Sequence, residues 1–203
     1  MSGQGTVRGD DGRDRCSWGD QLAVYRDYHD TEWGRPVTDT IGLFERITLE
    51  AFQSGLSWLT ILRKRPAFRA AFAGFDPAAV AAYDEADAAR LLADTGIVRN
   101  RAKIEAAVSN ARVVAELDLP LADLLWRHAP DPAARPAPRT SADVPAVTAE
   151  STALAAELKR CGFRFVGPTT AYALMQAVGM VDDHLAGCFA RGAIAPRGRC
   201  GSP

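Results

Sequence analysis

Two pairs of metal-type ligands stand near opposite ends of the chain, and they limit most tightly how it can close. Cys16 and His29 come early and His184 and Cys188 late, in a chain with only three histidines and four cysteines. His184 and Cys188 are spaced i,i+4, which on a helix puts two ligands on one face. The four residues make a Cys2His2 set, the composition of a structural tetrahedral zinc site. Such a site ties the N-terminal segment to the C-terminal end and obliges the chain between to fold back on itself. The other reading is two buried thiols and two ordinary histidines. Cys161 and Cys200 complete the cysteines, too few for a disulfide scaffold in 203 residues, and the set fits a reducing cytosol.

Between these pairs the pattern is helical. Alanine is abundant, and strand-like runs are few. Thr38 or Asp39 can cap a helix to about Ser54, with Ile41, Phe44, Ile47, Thr48, Ala51 and Phe52 on one side. Glu50 projects roughly 130° from the centre of that face, so periodicity alone makes it a surface carboxylate. Gly55 stops the helix, and Leu56 and Trp58 follow on a turn. A second helix runs from Trp58 to about Phe72, where Pro66 must kink or restart it. Its Arg63, Lys64, Arg65 and Arg69 are a solvated face or a set of phosphate contacts. Asp76-Pro77 opens a short helix. Asp84, Glu85 and Asp87 start another, which ends at Gly96. Residues 99–117 form a helix with Ile104, Ala107, Val108, Ala111 and Val114 buried, and a further helix spans about Thr148 to Arg160.

Three other stretches are distinctive. Residues 16–36 concentrate Trp18, Tyr25, Tyr28, His29 and Trp33 against an aromatic content of 8%, as a packed flap or as a pocket wall. Residues 130–145 hold five prolines and read as an irregular connection. Residues 161–180 read as helix, Gly-Pro hairpin, helix. Free amides at such a turn and helix start can bind a phosphate without net protein charge, which suits a chain of net charge −1. Residues 1–15 and 190–203 are expected as disordered tails around one domain over 16–189. No apolar run is long enough to span a membrane, so the expected location is cytoplasmic.

Taken in order, the motifs resemble the 3-methyladenine DNA glycosylase I family. They are Cys16-x-Trp18, Tyr28-His29-Asp30-x-Glu32-Trp33-Gly34, Leu49-Glu50-x-x-Gln53-x-Gly55-Leu56-Ser57-Trp58, Gly96-Ile97-x-Arg99, Gly162-Phe163-x-Phe165-Val166-Gly167 and Asp183-His184-x-x-Gly187-Cys188. The resemblance implies an all-α helix–hairpin–helix glycosylase of two helical lobes, with a zinc-clamped terminal region. It implies a structural Zn2+ on Cys16, His29, His184 and Cys188. It places a damaged base against Glu50, Tyr28 and Trp58, with Trp18, Tyr25 and Trp33 in the pocket or its wall, and so reverses the surface reading of Glu50. Leu56 becomes a wedge for the vacated stack, and Arg164, Gly167, Thr169 and Thr170 hold the DNA backbone. Glu50 is the expected catalytic residue, ahead of Asp182 and Asp183. The expected partner is alkylated double-stranded DNA, met by a monomer that excises 3-methyladenine as a monofunctional glycosylase. Where family members often carry a glycine, this chain has Ala51-Phe52, expected to alter packing and not chemistry. The competing readings are a non-catalytic damaged-DNA-binding module and a hydrolase of free nucleosides.

Overall fold

The computed structural model describes residues 5–192, and most of the regular structure is helical. The chain forms two compact units. One takes residues up to 36, residues 130–145 and residues from 176 onward; the other takes 37–129 and 146–175. No helix among the described residues is long and apolar enough to cross a membrane.

The second unit is built around α2 (Thr40–Gln53), which Asp39 caps by accepting from the Gly42 amide at 2.7 Å. α2 packs against α3 (Trp58–Ala71), α4 (Pro77–Ala81), α6 (Arg101–Ala115) and α7 (Leu121–Trp126). With neighbours on several sides, α2 is buried continuously from Leu43 to Phe52. The expected apolar face is there, except for Ile41, which is 47% exposed near the start of the helix. Glu45, Arg46 and Glu50 are buried with it. The surface reading of Glu50 is thereby corrected: a helical projection assumes one packed face, and this helix has several.

Phe52 packs edge-on against Phe68 at 4.8 Å and near Phe72 at 5.9 Å, so its departure from the family pattern lies in core packing. α3 runs through Pro66 as one helix and does not restart there. α5 (Glu85–Ala93) opens with a capping box between Asp84 and Asp87, and ends three residues before the expected Gly96. α8 (Ala149–Arg160), capped by Thr148, leads through the hairpin 161–167 into α9 (Pro168–Ala177). In the hairpin Phe163 and Val166 are buried, Arg164 and Phe165 are exposed, and Gly162 and Phe165 take positive φ.

The first unit differs from the helical lobe expected. Residues 1–15, expected to be disordered, include two paired strands, β1 (Thr6–Arg8) and β2 (Asp14–Cys16), with Thr6 opposite Cys16. Charge composition suggested disorder, but specific partners order this segment. Arg15 is only 1% exposed, and its guanidinium reaches Asp11 at 2.7 Å and Asp30 at 2.7 Å. Tyr28 and His29 lie on α1 (Ala23–Thr31) and not on a loop. Within this unit the proline-rich segment makes two short 3-10 turns and pairs with residues 183–186. The Ala186 amide donates to the Pro138 carbonyl at 2.8 Å, and Arg135 pairs with Asp183 at 3.0 Å. Ala190 is buried, so the expected C-terminal tail is placed as far as Gly192; its remainder, with Cys200, lies outside the described residues.

Candidate functional site

The last turn of α2 carries Glu50 into a cavity of about 360 Å³, lined also by Gln53, Ser54, Gly55, Leu56, Thr169, Thr170 and Ala173. Glu50 is 6% exposed, and among the described residues its carboxylate has no hydrogen-bond partner. Burial pushes its pKa up to about 8, with the Arg46 guanidinium opposing the rise. A carboxyl group in that state is a ready receptor for a cation or a hydrogen-bond donor, because any such partner relieves its desolvation.

The turn after α2 is shaped by Gly55, whose φ is +79°, a conformation that favours glycine. It presents Leu56, 42% exposed, before Ser57 caps α3 by accepting from the Thr60 amide at 3.3 Å. Lys103, on α6, donates to the carbonyls of Phe52 at 2.8 Å and Ser54 at 2.6 Å. Those carbonyls belong to a helix end that lacks intrahelical donors. Lys103 is buried, which pushes its pKa below the usual lysine range. Asn110, also on α6 and fully buried, clasps the hairpin from both sides of one residue: it donates to the Arg164 carbonyl at 3.1 Å and accepts from the Arg164 amide at 2.8 Å. Sequence reasoning passed over Lys103 and Asn110. The available signal was their place beside the buried stripe of α6.

Of the expected site residues, Glu50, Leu56, Thr169 and Thr170 therefore share one cavity. Gly167 and the exposed Arg164 lie in the hairpin that leads to it. Trp58 opens α3, half-buried and outside the lining. Lys64 and Arg69 are engaged within the unit, Lys64 on the Thr95 and Gly96 carbonyls and Arg69 on Glu45.

In the first unit Trp18 is the hub of an aromatic cluster. It lies 5.9 Å from Tyr25, 6.4 Å from Tyr28, 5.0 Å from Trp33 and 5.1 Å from the His29 ring. Beside it Cys16, His29 and Cys188 are all buried, and their ligand atoms lie within 4.8 Å of one another. The His184 ring sits 5.1 Å from that of His29, and its Nε2 is buried without a hydrogen-bond partner.

Cys16, His29 and Cys188 form a donor set suited to a divalent metal ion, and His184 lies outside that three-residue grouping with its ring against that of His29. Each imidazole turns Nδ1 outward to a carboxylate, His29 to Asp30 and His184 to Asp182, both at 2.8 Å. That arrangement fixes the tautomer and leaves Nε2 as the ligand atom. Two neighbouring thiols resist joint ionisation: Cys188 pushes Cys16 well above the usual thiol range, and burial adds to the rise. A divalent cation removes that conflict. Close approach of the rings also demands glycine, since a Cβ on Gly19 would lie 2.6 Å from the His29 ring and one on Gly34 2.7 Å from the His184 ring. His184 and Cys188 have ligand spacing and lie on an irregular turn. Asp182 stabilises that turn by accepting from the His184 amide at 3.1 Å. Asp183 is committed too, to Arg135 and to Gln176 at 2.9 Å, so neither aspartate is held in reserve for a ligand.

Comparison with known proteins bears on the same stretch of chain. Residues 18–191 match the methyladenine glycosylase family. The chain is 45% identical over 178 residues to DNA-3-methyladenine glycosylase 1 of Escherichia coli, covering 86% of this chain and 95% of that protein. A crystal structure of a 3-methyladenine DNA glycosylase I superposes with a TM-score of 0.81 at 46% identity, covering 86% of this chain and 98% of the other. A variant of a 3-methyladenine DNA glycosylase I in complex with 3-methyladenine superposes with a TM-score of 0.80 at 34% identity, covering 87% and 96%.

Proposed function

This chain belongs to the methyladenine glycosylase family, and from that premise we propose that it is a monofunctional DNA repair glycosylase. It hydrolyses the N-glycosidic bond of 3-methyladenine in alkylated double-stranded DNA and leaves an abasic site. The observation that carries the reading is the Glu50 carboxyl, buried in a cavity and lacking any hydrogen bond from the protein among the described residues.

The substrate explains that choice of residue. A purine alkylated at a ring nitrogen carries positive charge in DNA and is already a good leaving group, so strong acid catalysis is unnecessary. The enzyme's tasks are to extrude the nucleotide, at a few kcal/mol, and to recognise a cation. Glu50 accepts from the edge of the base and complements its charge, giving up its proton as the cation enters. Trp58 offers a face for stacking, worth about 0.5–2 kcal/mol as a cation–π contact. Tyr28 fixes the base edge, and Trp18, with Tyr25, Tyr28 and Trp33 around it, belongs to the pocket or its wall. Cleavage passes through an oxocarbenium-like state that a nearby carboxylate stabilises before water attacks the sugar. Leu56 fills the vacated stack, and the helix–hairpin–helix amides at Gly167, Thr169 and Thr170, with Arg164, take the phosphate backbone.

Cys16, His29, His184 and Cys188 hold a structural Zn2+, which with four protein ligands supplies a cross-link and no reactive position. Elemental analysis of the purified protein tests this; about one zinc per chain is expected.

The deciding assay is release of free 3-methyladenine from methylated duplex DNA. Release by the parent protein, reduced by a large factor in Glu50→Gln at unchanged folding, is the expected result. Binding without release marks a damaged-DNA-binding module, and a preference for free nucleosides marks a nucleoside hydrolase.

A further inference from the structure

We infer that Lys103 and Asn110 are positioning residues that together set the two walls of the Glu50 cavity; the inference rests on the glycosylase reading of that cavity. The two side chains are seven residues apart on α6, about two helical turns, and so leave the helix on the same side. One takes hold of each wall.

Lys103 binds the carbonyls of Phe52 and Ser54 at 2.8 and 2.6 Å. Ser54, with Gln53, Gly55 and Leu56, forms the first wall. Asn110 holds both backbone polar groups of Arg164, at 2.8 and 3.1 Å. From there the chain runs directly into α9, whose Thr169, Thr170 and Ala173 form the second wall. A further contact comes from Val113: a Cβ on Gly162 would lie 3.3 Å from its Cγ2, so the start of the hairpin also rests on α6. One rigid rod thus spaces the carboxylate-bearing turn from the hairpin.

Stability alone does not account for these choices. Glycine, water or an exposed basic side chain can satisfy a helix C-terminus, whereas a buried ammonium carries a desolvation penalty. Here the penalty falls on the C-terminal end of α2, whose last turn lines the cavity. Asn110 is likewise buried completely and fixes both backbone polar groups of Arg164, an exposed residue of the hairpin. Small displacements of a substrate-positioning element can cost about 100-fold in rate.

The test uses the full chain and the variants Lys103→Met, Lys103→Arg, Asn110→Leu and Lys103→Met with Asn110→Leu. Three quantities are read: the single-turnover rate of 3-methyladenine release from methylated duplex, affinity for undamaged duplex, and amide hydrogen exchange over residues 53–57 and 162–167. Lys103→Met is expected to slow release by about 100-fold, to leave duplex affinity unchanged and to speed exchange at 53–57; Lys103→Arg restores most of the rate. Asn110→Leu slows release, weakens duplex binding and speeds exchange at 162–167. The double variant loses less than the product of the two single losses, because both act on one cavity.

Folded Lys103→Met with parental rate and parental exchange overturns the inference. So do losses that multiply fully in the double variant. Should Lys103→Met fail to fold, Lys103→Gln is read against the same outcomes. Should the parent release no 3-methyladenine, the glycosylase reading falls, and exchange alone decides: unchanged protection at 53–57 in the Lys103 variant then overturns the positioning role as well.

Discussion

The cluster around His29 and His184 and the cavity around Glu50 both bury polar groups, and they handle them in opposite ways. In the cluster the outward atoms are answered: Asp30 meets His29, Arg15 meets Asp30, and Asp182 meets His184. The atoms that face one another inside, Cys16 Sγ, Cys188 Sγ and His29 Nε2, with the unpartnered His184 Nε2, are those of the proposed metal site. At Glu50 the carboxyl is enclosed with no hydrogen bond from the described protein, and an arginine on its own helix only moderates its charge. On the proposed reading, the contrast is between a site filled once, by a resident ion, and a site filled repeatedly, by a base that arrives and departs. The first would stabilise the fold, and the second is a standing destabilisation kept for function.

The sharpest way to break this comparison is Glu50→Gln. Loss of the carboxylate is expected to cut single-turnover excision by about 10²–10³-fold. The same change should stabilise the protein, and the sign follows from linkage. The folded-state pKa, about 8, lies above the ordinary 4.5, so the folded state holds this proton more tightly. The stabilisation from that proton is complete below the unfolded pKa and is lost as pH rises through the folded one. At pH 7 the parent has given up roughly 3 kcal/mol on this account, which the neutral variant escapes. Urea midpoints at pH 5 and pH 8 read the effect; a gap between variant and parent that does not widen with pH contradicts it. Excision by the parent should likewise rise toward pH 8, while the variant's residual rate stays flat.

His184→Ala tests the other side and should do the reverse. We expect a melting temperature lower by roughly 10 °C, matched by chelation of the parent, with excision per folded molecule retained. A chelated protein that melts like the untreated one removes the resident ion from the comparison. A smaller effect comes from the outer carboxylate. Asp30→Asn should weaken metal binding by about 10–100-fold in competition with a chelating dye, because His29 loses the partner that orients it. The smallest effect belongs to an exposed pair: Arg101→Ala, which removes the contact to Glu85 at 3.0 Å, should leave the melting temperature where it was.

The sequence disclosed much of α2: its cap at Asp39, its end near Ser54 and its phenylalanine face follow from local rules. It hid the burial of Glu50, because periodicity describes a helix with one packed side and this helix is packed on several. The N-terminal strands were hidden for a related reason. Their charged composition looks disordered until Arg15 finds Asp30 on α1, a pairing that no local window contains. The spacing of His184 and Cys188 suits a pair of ligands on a helix face, and the structure holds the two on a turn braced by Asp182 instead. Lys103 and Asn110 escaped because a lysine and an asparagine in a polar helix look solvated; only their distant carbonyl and amide partners mark them out. What composition and motif convey is the set of residue types. Which of them lie in the dark between helices depends on tertiary packing.

The order in which the first unit is spelled out along the chain bears on how it is made in a cell. Cys16 and His29 leave the ribosome well before His184 and Cys188, with the whole of α2–α9 synthesised between them. At a typical bacterial or eukaryotic pace of about 5–20 residues per second, an unmatched thiol persists for many seconds while α2 and its neighbours can already collapse. Closing so long a loop is also among the slow steps of folding, since its entropy is lost before any contact repays it. If the proposed metal is bound, the cluster closes only after its late ligands emerge, and metal scarcity is expected to show as a shortfall in completed molecules rather than as impaired turnover of those already made.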